Sequence, residues 1–339
     1  MRTVLVTGGA GFIASNFVRY LLKKYPDYQI IILDALTYAG CMDNIPRDPR
    51  VQFVFGNVRN AGLVGKLVTQ CNTVVHMAAE SHVSRSIFDN LLFYETDVLG
   101  TQAVVNAIVE HGKHIERFIH ISTSEVYGTA ITPIMNEEHP LLPFSPYASA
   151  KAGADRLVYS YWYTYGIPVV ILRPFNQYGA YQHLEKMLPR FITSCILNEP
   201  ITIHGDGSMS RDWVYVEDTC KAIDKALHCN IDTVRGEVIN IGSGESISIG
   251  RIAEMVVSAM NRHTKSTITH VEDRPGQVLR HTSSTEKALR LLDWKAETKF
   301  ADGLYETIGW YRRNWSWWER QLWMRSIQIT TKDGKKVLH

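Results

Sequence analysis

Thr3-Val4-Leu5-Val6-Thr7-Gly8-Gly9-Ala10-Gly11-Phe12-Ile13-Ala14 decides the fold. An apolar, largely β-branched run, Thr3–Val6, enters a Gly-rich turn that opens an amphipathic helical pattern over Ile13–Lys24. Glycine at 8 permits a tight turn, and glycine at 11 lets the backbone approach a pyrophosphate. The helix N-terminus then presents unpaired N–H groups to that anion. Ala14 stands where a third glycine is often found, and alanine is acceptable there. Elsewhere such a turn would be an ordinary loop; between a strand and a helix it points to a dinucleotide.

Outward from that turn, short apolar runs alternate with longer helical patterns. Strands are expected at Gln29–Leu33, Val51–Phe55, Thr73–Met77, Phe118–Ser122 and Val169–Arg173, and helices at Ala61–Gln70, Phe93–His111 and Ala148–Tyr165. Strict alternation with wholly apolar strands predicts an α/β fold. Its sheet is parallel, doubly wound in the Rossmann manner and covered on both faces, with ligands at the strands' carboxyl ends. After Arg173-Pro174 turns become frequent, and helices are expected near Met187–Leu197, Val216–Leu227, Ile249–Met260 and Thr285–Leu292. The expected division is a dinucleotide domain over 1–176, a smaller C-terminal α/β substrate lobe over 177–325 and a polar tail over 326–339, with Glu237–Ile241 returning to the sheet. Trp310, Trp315, Trp317, Trp318 and Trp323 crowd together near the end, which predicts a helix docked by aromatic anchors with a frayed terminus.

Asp34 closes the second strand. A carboxylate there accepts hydrogen bonds from the adenosine ribose hydroxyls and repels a 2′-phosphate. No Arg or Lys follows before Arg47, so NAD rather than NADP is expected. Asn57, after the third strand, is either a partner for the adenine edge or a structural loop residue.

The chain has 339 residues, 45% of them apolar, and its 36 Lys+Arg against 34 Asp+Glu leave a net charge of +2. With no basic or acidic block, neither nucleic acid nor an anionic membrane is expected as a partner. Cys41, Cys71, Cys195, Cys220 and Cys229 are widely spaced and odd in number, as thiols are in a reducing compartment. No run approaches the ~20 apolar residues of a membrane helix. Met1-Arg2 leads straight into the first strand without a signal peptide, so a cytoplasmic enzyme is expected. His111 and His114 lack a third ligand, and no metal site is expected.

Tyr147-Ala-Ser-Ala-Lys151 follows Pro146, and its i, i+4 spacing puts phenol and ammonium on one helix face. The ammonium is expected to lower the phenol's pKa and make it a base for a hydroxyl proton. Ser122-Thr123-Ser124-Glu125 ends the fifth strand, where the sheet delivers residues to the cofactor.

These motifs resemble the extended short-chain dehydrogenase/reductase family and, within it, the nucleotide-sugar 4,6-dehydratases of the dTDP-glucose 4,6-dehydratase type. Similar stretches include Leu36-Thr-Tyr-Ala-Gly40, Ala78-Ala-Glu-Ser-His-Val83, Ser122-Thr-Ser-Glu-Val-Tyr-Gly128, Arg211-Asp-Trp-Val-Tyr-Val-Glu-Asp218, Asn240-Ile-Gly242 and Asp273-Arg-Pro-Gly276. The resemblance implies that Tyr147, helped by Lys151 and Thr123, takes the proton of the sugar C4 hydroxyl while hydride passes to NAD. Glu125 then removes the C5 proton, water leaves from C6, and the hydride returns to C6. It also implies that Phe12, Ile13, Thr37, Val58, Ala78, Ala79, Thr96 and Ser122 join Gly8, Gly11, Asp34 and Asn57 around NAD. Substrate contacts are implied for His82, Thr123, Asn176, Glu185, Lys186, Met187 and Asn240, and diphosphate contacts for Arg211, Arg274 and Arg280. Family members pair as homodimers through the helices Phe93–His111 and Ala148–Tyr165; Val98, Val104, Val105 and Ile108 would fit a buried face.

Two positions depart from the dTDP-glucose enzymes. Ser124 stands where they carry the Asp that assists departure of the C6 hydroxyl, and Ser84 stands where they usually carry Asp. Thr-Ser-Glu is found instead in GDP-mannose 4,6-dehydratases and several UDP-N-acetylglucosamine dehydratases, where the glutamate serves both proton transfers. It also occurs in UDP-glucuronate decarboxylases. The leading expectation is therefore a dehydratase acting on dTDP-glucose, UDP-glucose, UDP-N-acetylglucosamine or GDP-mannose. The alternatives are a UDP-glucuronate decarboxylase, a 4-epimerase (against which Glu125 argues) and a non-catalytic NAD-binding protein of the same fold.

Overall fold

The computed structural model describes residues 2–260, 264–272, 278–325, 328–330 and 336–338. Six strands alternate with helices in the first half: β1 Thr3–Thr7, β2 Gln29–Asp34, β3 Val51–Phe55, β4 Thr73–His76, β5 Arg117–Ile121 and β6 Val169–Pro174. The second half supplies β7 Asn176–Tyr178, β8 Ile201–His204, β9 Ser210–Tyr215, β10 Val238–Ile241, β11 Ser246–Ser248 and β12 Ile268–Val271. The main sheet has seven parallel strands in the order β10-β6-β5-β4-β1-β2-β3. The chain reverses direction across the sheet between β1 and β4, and the crevice outside those strand ends is where such sheets bind ligands.

Side-chain alternation along each strand explains the two covered faces. Val4, Val6, Ile30, Ile32, Ile119, Val170 and Leu172 point into one core, closed by the helices Phe12–Lys24 and Val216–His228. Leu5, Ile31, Leu33, Phe118, Val169 and Ile171 point into the other, closed by Ala61–Val68, Gly100–His111 and Pro146–Tyr165. The expected returning strand is β10, in parallel register with β6. Val216–Leu227, Val234 and Ala288–Trp294 lie within the span expected for the lobe, yet pack into the first of these cores. The lobe's own core gathers Leu188, Phe191, Ile203, Trp213, Ile252, Leu304 and Tyr311. β7, β9 and β11 form its three-stranded sheet, and β8 pairs with β12.

Two helices differ from expectation in ways that matter for the site. The one expected from Ala148 begins at Pro146, because Ser145 Oγ accepts from the Ala148 N–H (3.1 Å) and proline suits the first helical position. The one expected as a single run over Phe93–His111 contains a π-helical turn, Tyr94–Leu99, before Gly100–His111. Val104, Val105 and Ile108 of that helix are buried in the chain's own core, which accounts for their apolar character without a second copy. At the C-terminal end, Trp317 and Trp318 are buried and Trp310 packs on Tyr181 and Trp317, whereas Trp315 and Trp323 are exposed. Where a frayed terminus was expected, Gln328–Thr330 pairs antiparallel with Lys336–Leu338.

Candidate active site

Gly8 sits at φ +72°, and a Cβ there would lie 2.8 Å from both the N and Cα of Ala78. The turn after β1 therefore rests directly on the chain leaving β4, a close approach only glycine allows. Gly11 enters the helix Phe12–Lys24 with no side-chain cap, so the first-turn N–H groups are left for an anion. Asp34 ends β2 and is locked by two backbone donors, Ala10 N–H (2.9 Å) and Leu36 N–H (2.8 Å). Burial raises its pKa against those two bonds. A backbone groove where a Cβ would stand, an uncapped helix start and a fixed carboxylate fit the pyrophosphate and ribose of NAD.

Phe12, Ile13, Thr37, Asn57, Val58, Ala78, Ala79, Thr96 and Ser122 line the same cleft, of ≈ 490 Å³, as Gly8, Gly11 and Asp34. Asn57 lines the cleft, and its Oδ1 accepts from the Arg59 N–H (2.9 Å) as a turn residue does.

The chemistry-bearing residues line the cleft beside them. Thr123 caps a single 3₁₀ turn, Ser124–Tyr127, its Oγ1 accepting from the Glu125 N–H (3.2 Å). The turn closes on Gly128 at φ +68°, where a Cβ would fall 2.0 Å from the Leu142 carbonyl oxygen. Thr123, Ser124, Glu125, Tyr147 and Lys151 all line the cleft. Lys151 Nζ donates to the Ile121 carbonyl (2.8 Å), tying the helix Pro146–Tyr165 to the end of β5.

One expectation is corrected here. The Tyr147 phenol is pushed up, not down: burial dominates, the Asp97 and Glu125 carboxylates add to it, and only the Thr123 hydroxyl opposes. Lys151 is itself lowered by burial, and its proton is committed to a carbonyl. At rest the phenol keeps its proton.

Sequence reasoning missed Asp97, which lies on the π-helical turn. Its Oδ1 accepts from the Glu80 N–H (2.8 Å), and burial holds its carboxyl up at about 8. The signal was present, since Asp97 falls on the apolar stripe of Val104 and Ile108, seven and eleven positions on. Beneath it, Thr101 Oγ1 meets His76 Nε2 (3.0 Å) and His76 Nδ1 meets Thr7 Oγ1 (2.7 Å). Burial lowers His76 to about 3, so the link is neutral. His281 was also missed. It is buried, with Nδ1 3.3 Å from Ser124 Oγ and Nε2 2.7 Å from the Gly128 carbonyl.

On the lobe side, His82, Asn176, Glu185, Lys186, Met187 and Arg211 line the cleft. His82 caps the helix Val83–Phe88 through Nδ1, and its Nε2 stands 3.6 Å from the Glu185 carboxylate. Burial raises Glu185, while Lys186 and the Tyr38 hydroxyl, which donates to Oε1 (3.1 Å), oppose the shift. Lys186 also donates to the Ser81 carbonyl (2.7 Å), so the lobe's first helix is latched to the loop after β4.

Two expected contacts do not line the cleft. Asn240 is fully buried: its Oδ1 accepts from the Tyr127 hydroxyl (2.7 Å), and its Nδ2 donates to the Met135 carbonyl (3.1 Å). Its side chain is a structural tie between β10 and the turn carrying Glu125. Arg280 is exposed and donates to the Thr132 carbonyl (3.2 Å), although its backbone bridges Ser210 beside Arg211. Arg274 lies outside the described residues.

The model of the family described as GDP-mannose 4,6 dehydratase matches residues 5–307. The chain belongs to that family. It is 43% identical to the low-salt glycan biosynthesis protein Agl12 of Haloferax volcanii, over 91% of this chain and 98% of that one. It is 39% identical to a dTDP-glucose 4,6-dehydratase of Actinoplanes sp., over 93% and 99%. The structure of a double mutant of DesIV, the dTDP-glucose 4,6-dehydratase of Streptomyces venezuelae, solved with NAD and DAU bound, superposes with a TM-score of 0.88. That alignment is 40% identical and covers 95% of this chain and 100% of the other. The extended short-chain dehydrogenase/reductase fold is thus common to the family members and to this chain.

Proposed function

We propose that the chain converts a nucleoside-diphosphate hexose into its 4-keto-6-deoxy form, as an NAD-dependent nucleotide-sugar 4,6-dehydratase. The observation that carries this reading is Glu125, a carboxylate lining the cleft with Thr123, Tyr147 and the dinucleotide groove. A simple C4 oxidation and return needs the phenol alone, whereas abstraction of a proton from C5 needs a second base.

Bound along the Gly8–Gly11 groove and Asp34, NAD supplies a positively charged acceptor that takes two electrons from C4 and gives them back at C6. Tyr147, lining the cleft beside Thr123, is the base that takes the C4 hydroxyl proton. Thr123 orients the phenol, and its hydroxyl is the group that lowers the phenol's pKa. The C4 ketone acidifies C5–H, and Glu125 removes that proton. Ser124 has no titration near neutral pH, so Glu125 also returns the proton to the departing C6 hydroxyl. The proton finally taken up at C5 is balanced by the one Tyr147 took from the C4 hydroxyl. Arg211, lining the lobe side, is the diphosphate partner we assign.

Exposed Leu99 and Tyr163 on the helical side of the molecule support a homodimer. The five cysteines are free thiols, which supports a cytoplasmic setting. Among the described residues no helix is long and apolar enough to cross a membrane.

The deciding experiment incubates the enzyme with dTDP-glucose, UDP-glucose, UDP-N-acetylglucosamine, GDP-mannose and UDP-glucuronate separately and reads products by mass spectrometry. Loss of water from one of the first four is expected, and it names the donor. Tyr147→Phe should slow it by roughly 10²–10⁴-fold. Loss of carbon dioxide from UDP-glucuronate, with water lost from none, replaces the dehydratase by a decarboxylase.

A further inference from the structure

Ser124 and His281 lie 157 positions apart in the chain and meet behind the catalytic turn. His281 Nε2 faces the Gly128 carbonyl at 2.7 Å, and a carbonyl oxygen only accepts, so Nε2 carries the ring proton. In the neutral ring Nδ1 is then an acceptor, and the only proton available between Nδ1 and Ser124 Oγ is the serine's own. The ring stays neutral because burial lowers its pKa. Arg211 works in the same direction, while Glu125, Asp212 and the Gly128 carbonyl oppose without prevailing. Phe175, edge-on at 5.9 Å, closes the remaining side without a charge. Gly128 adopts a positive φ beside Leu142, and its N–H closes the turn on the Glu125 carbonyl (3.1 Å), which holds the residue whose carbonyl sets the tautomer.

We infer that His281 is a positioning residue for the elimination: it draws the Ser124 proton away from the cleft, so that Ser124 offers the sugar's C6 hydroxyl an acceptor. This rests on the dehydratase reading and deepens it. A C6 hydroxyl that donates its own proton toward Ser124 Oγ turns a lone pair toward Glu125. Glu125, protonated from C5, then gives that proton to the leaving oxygen; the C5 electron pair closes the C5=C6 double bond, the C6–O bond breaks, and water departs with its second hydrogen covalently its own and hydrogen-bonded to Ser124 Oγ. As the leaving oxygen gains positive character, the hydrogen bond to Ser124 strengthens, so the contact favours the transition state over the ground state. Serine at this position thus has a defined task, different from that of an acid.

The test separates oxidation from water loss in a single turnover, using the donor that the wild-type enzyme dehydrates. Rapid-quench mass spectrometry distinguishes sugar oxidised at C4 from sugar that has lost water. In His281→Phe, C4 oxidation should stay within about threefold of wild type while water loss slows about tenfold and oxidised sugar accumulates. Ser124→Ala should behave alike, and the double variant should be no slower than either single one, because the two groups act as a unit. His281→Asn, whose Oδ1 restores an acceptor facing Ser124, should recover water loss to within about threefold of wild type. Should His281→Phe fail to fold by circular dichroism, Ser124→Ala and His281→Asn decide. Unchanged water loss in the single variants, an equal fall in both steps, or multiplying effects in the double variant each overturn the positioning role alone. A wild-type enzyme that loses water from no donor overturns the dehydratase reading, and this role with it.

Discussion

Replacing Asp155 should be among the most damaging single changes outside the cleft, and its cost can be worked from the geometry. Asp155 lies one turn past Lys151 on the catalytic helix and is fully buried. Its carboxylate grips Arg173 of β6 with two parallel bonds, Nε to Oδ2 and Nη2 to Oδ1, both 2.9 Å. Arg173 Nη1 reaches the Tyr127 hydroxyl (2.9 Å), which continues to Asn240. The guanidinium holds Asp155 well below the usual carboxylate range, despite burial. Asp155→Leu would strand a buried cation, at a cost of about 3–5 kcal/mol. For a chain of this length that is a fall in melting temperature of about 4–7 °C. Adding Arg173→Met should restore most of it, because the desolvation of both charges disappears together. The sign with pH follows from the depressed carboxyl. Its contribution is complete above the ordinary carboxylate pKa near 4 and is lost as pH falls below that toward the folded value. Scanning calorimetry at pH 7.5, and again between pH 5 and 3, reads both effects. A single variant melting within about 1 °C of wild type, or a double variant less stable than either single one, would refute the reasoning.

Gly8→Ala carries a left-handed φ penalty of about 1–2 kcal/mol and an overpacking cost of about 1–3 kcal/mol against Ala78. NAD binding by calorimetry should weaken by at least about tenfold, and an unchanged Kd would count against the cradle. Asp97, held up at about 8 and so raised above its unfolded value, binds more protons folded than unfolded between pH 4 and 8. It therefore subtracts stability as pH rises through that window. Asp97→Asn should flatten the fall in melting temperature from pH 5 to 8 while keeping the Glu80 bond through its Oδ1, and a slope identical to wild type would contradict the assignment.

What the letters disclosed was whatever a local pattern controls. Gly8, Gly11 and Asp34 sit at a strand–turn–helix junction where chain direction follows from sequence spacing, and all three line the cleft. β10 was visible because Val238, Ile239 and Ile241 make a short β-branched run of the kind strands favour. The helix start at Pro146 was written in Ser145-Pro146, a cap and first-turn pair read too late by two residues. The π-helical turn at Tyr94–Leu99 was not visible, since one extra residue per turn shifts the phase of a stripe without breaking it. Motif matching named Asn240 and Arg280 but carries no side-chain direction, and both point elsewhere. The direction of the Tyr147 shift is set first by burial, which a local spacing of Tyr147 and Lys151 does not disclose, while Lys151 donates to a carbonyl 30 positions upstream. The Ser124–His281 bond is likewise a product of tertiary proximity alone.

The seventh strand of the main sheet has a bearing on how the chain is made. Until β10 has left the ribosome, the outer rim of β6 offers unsatisfied peptide groups flanked by the apolar side chains of Val169–Leu172. A nascent chain paused anywhere before residue 238 therefore presents a sticky rim to its neighbours, the hazard that exposed strand edges carry generally. Cutting the gene at the apparent lobe junction would make that transient state permanent, so the two halves are better studied by substitution than by separate expression.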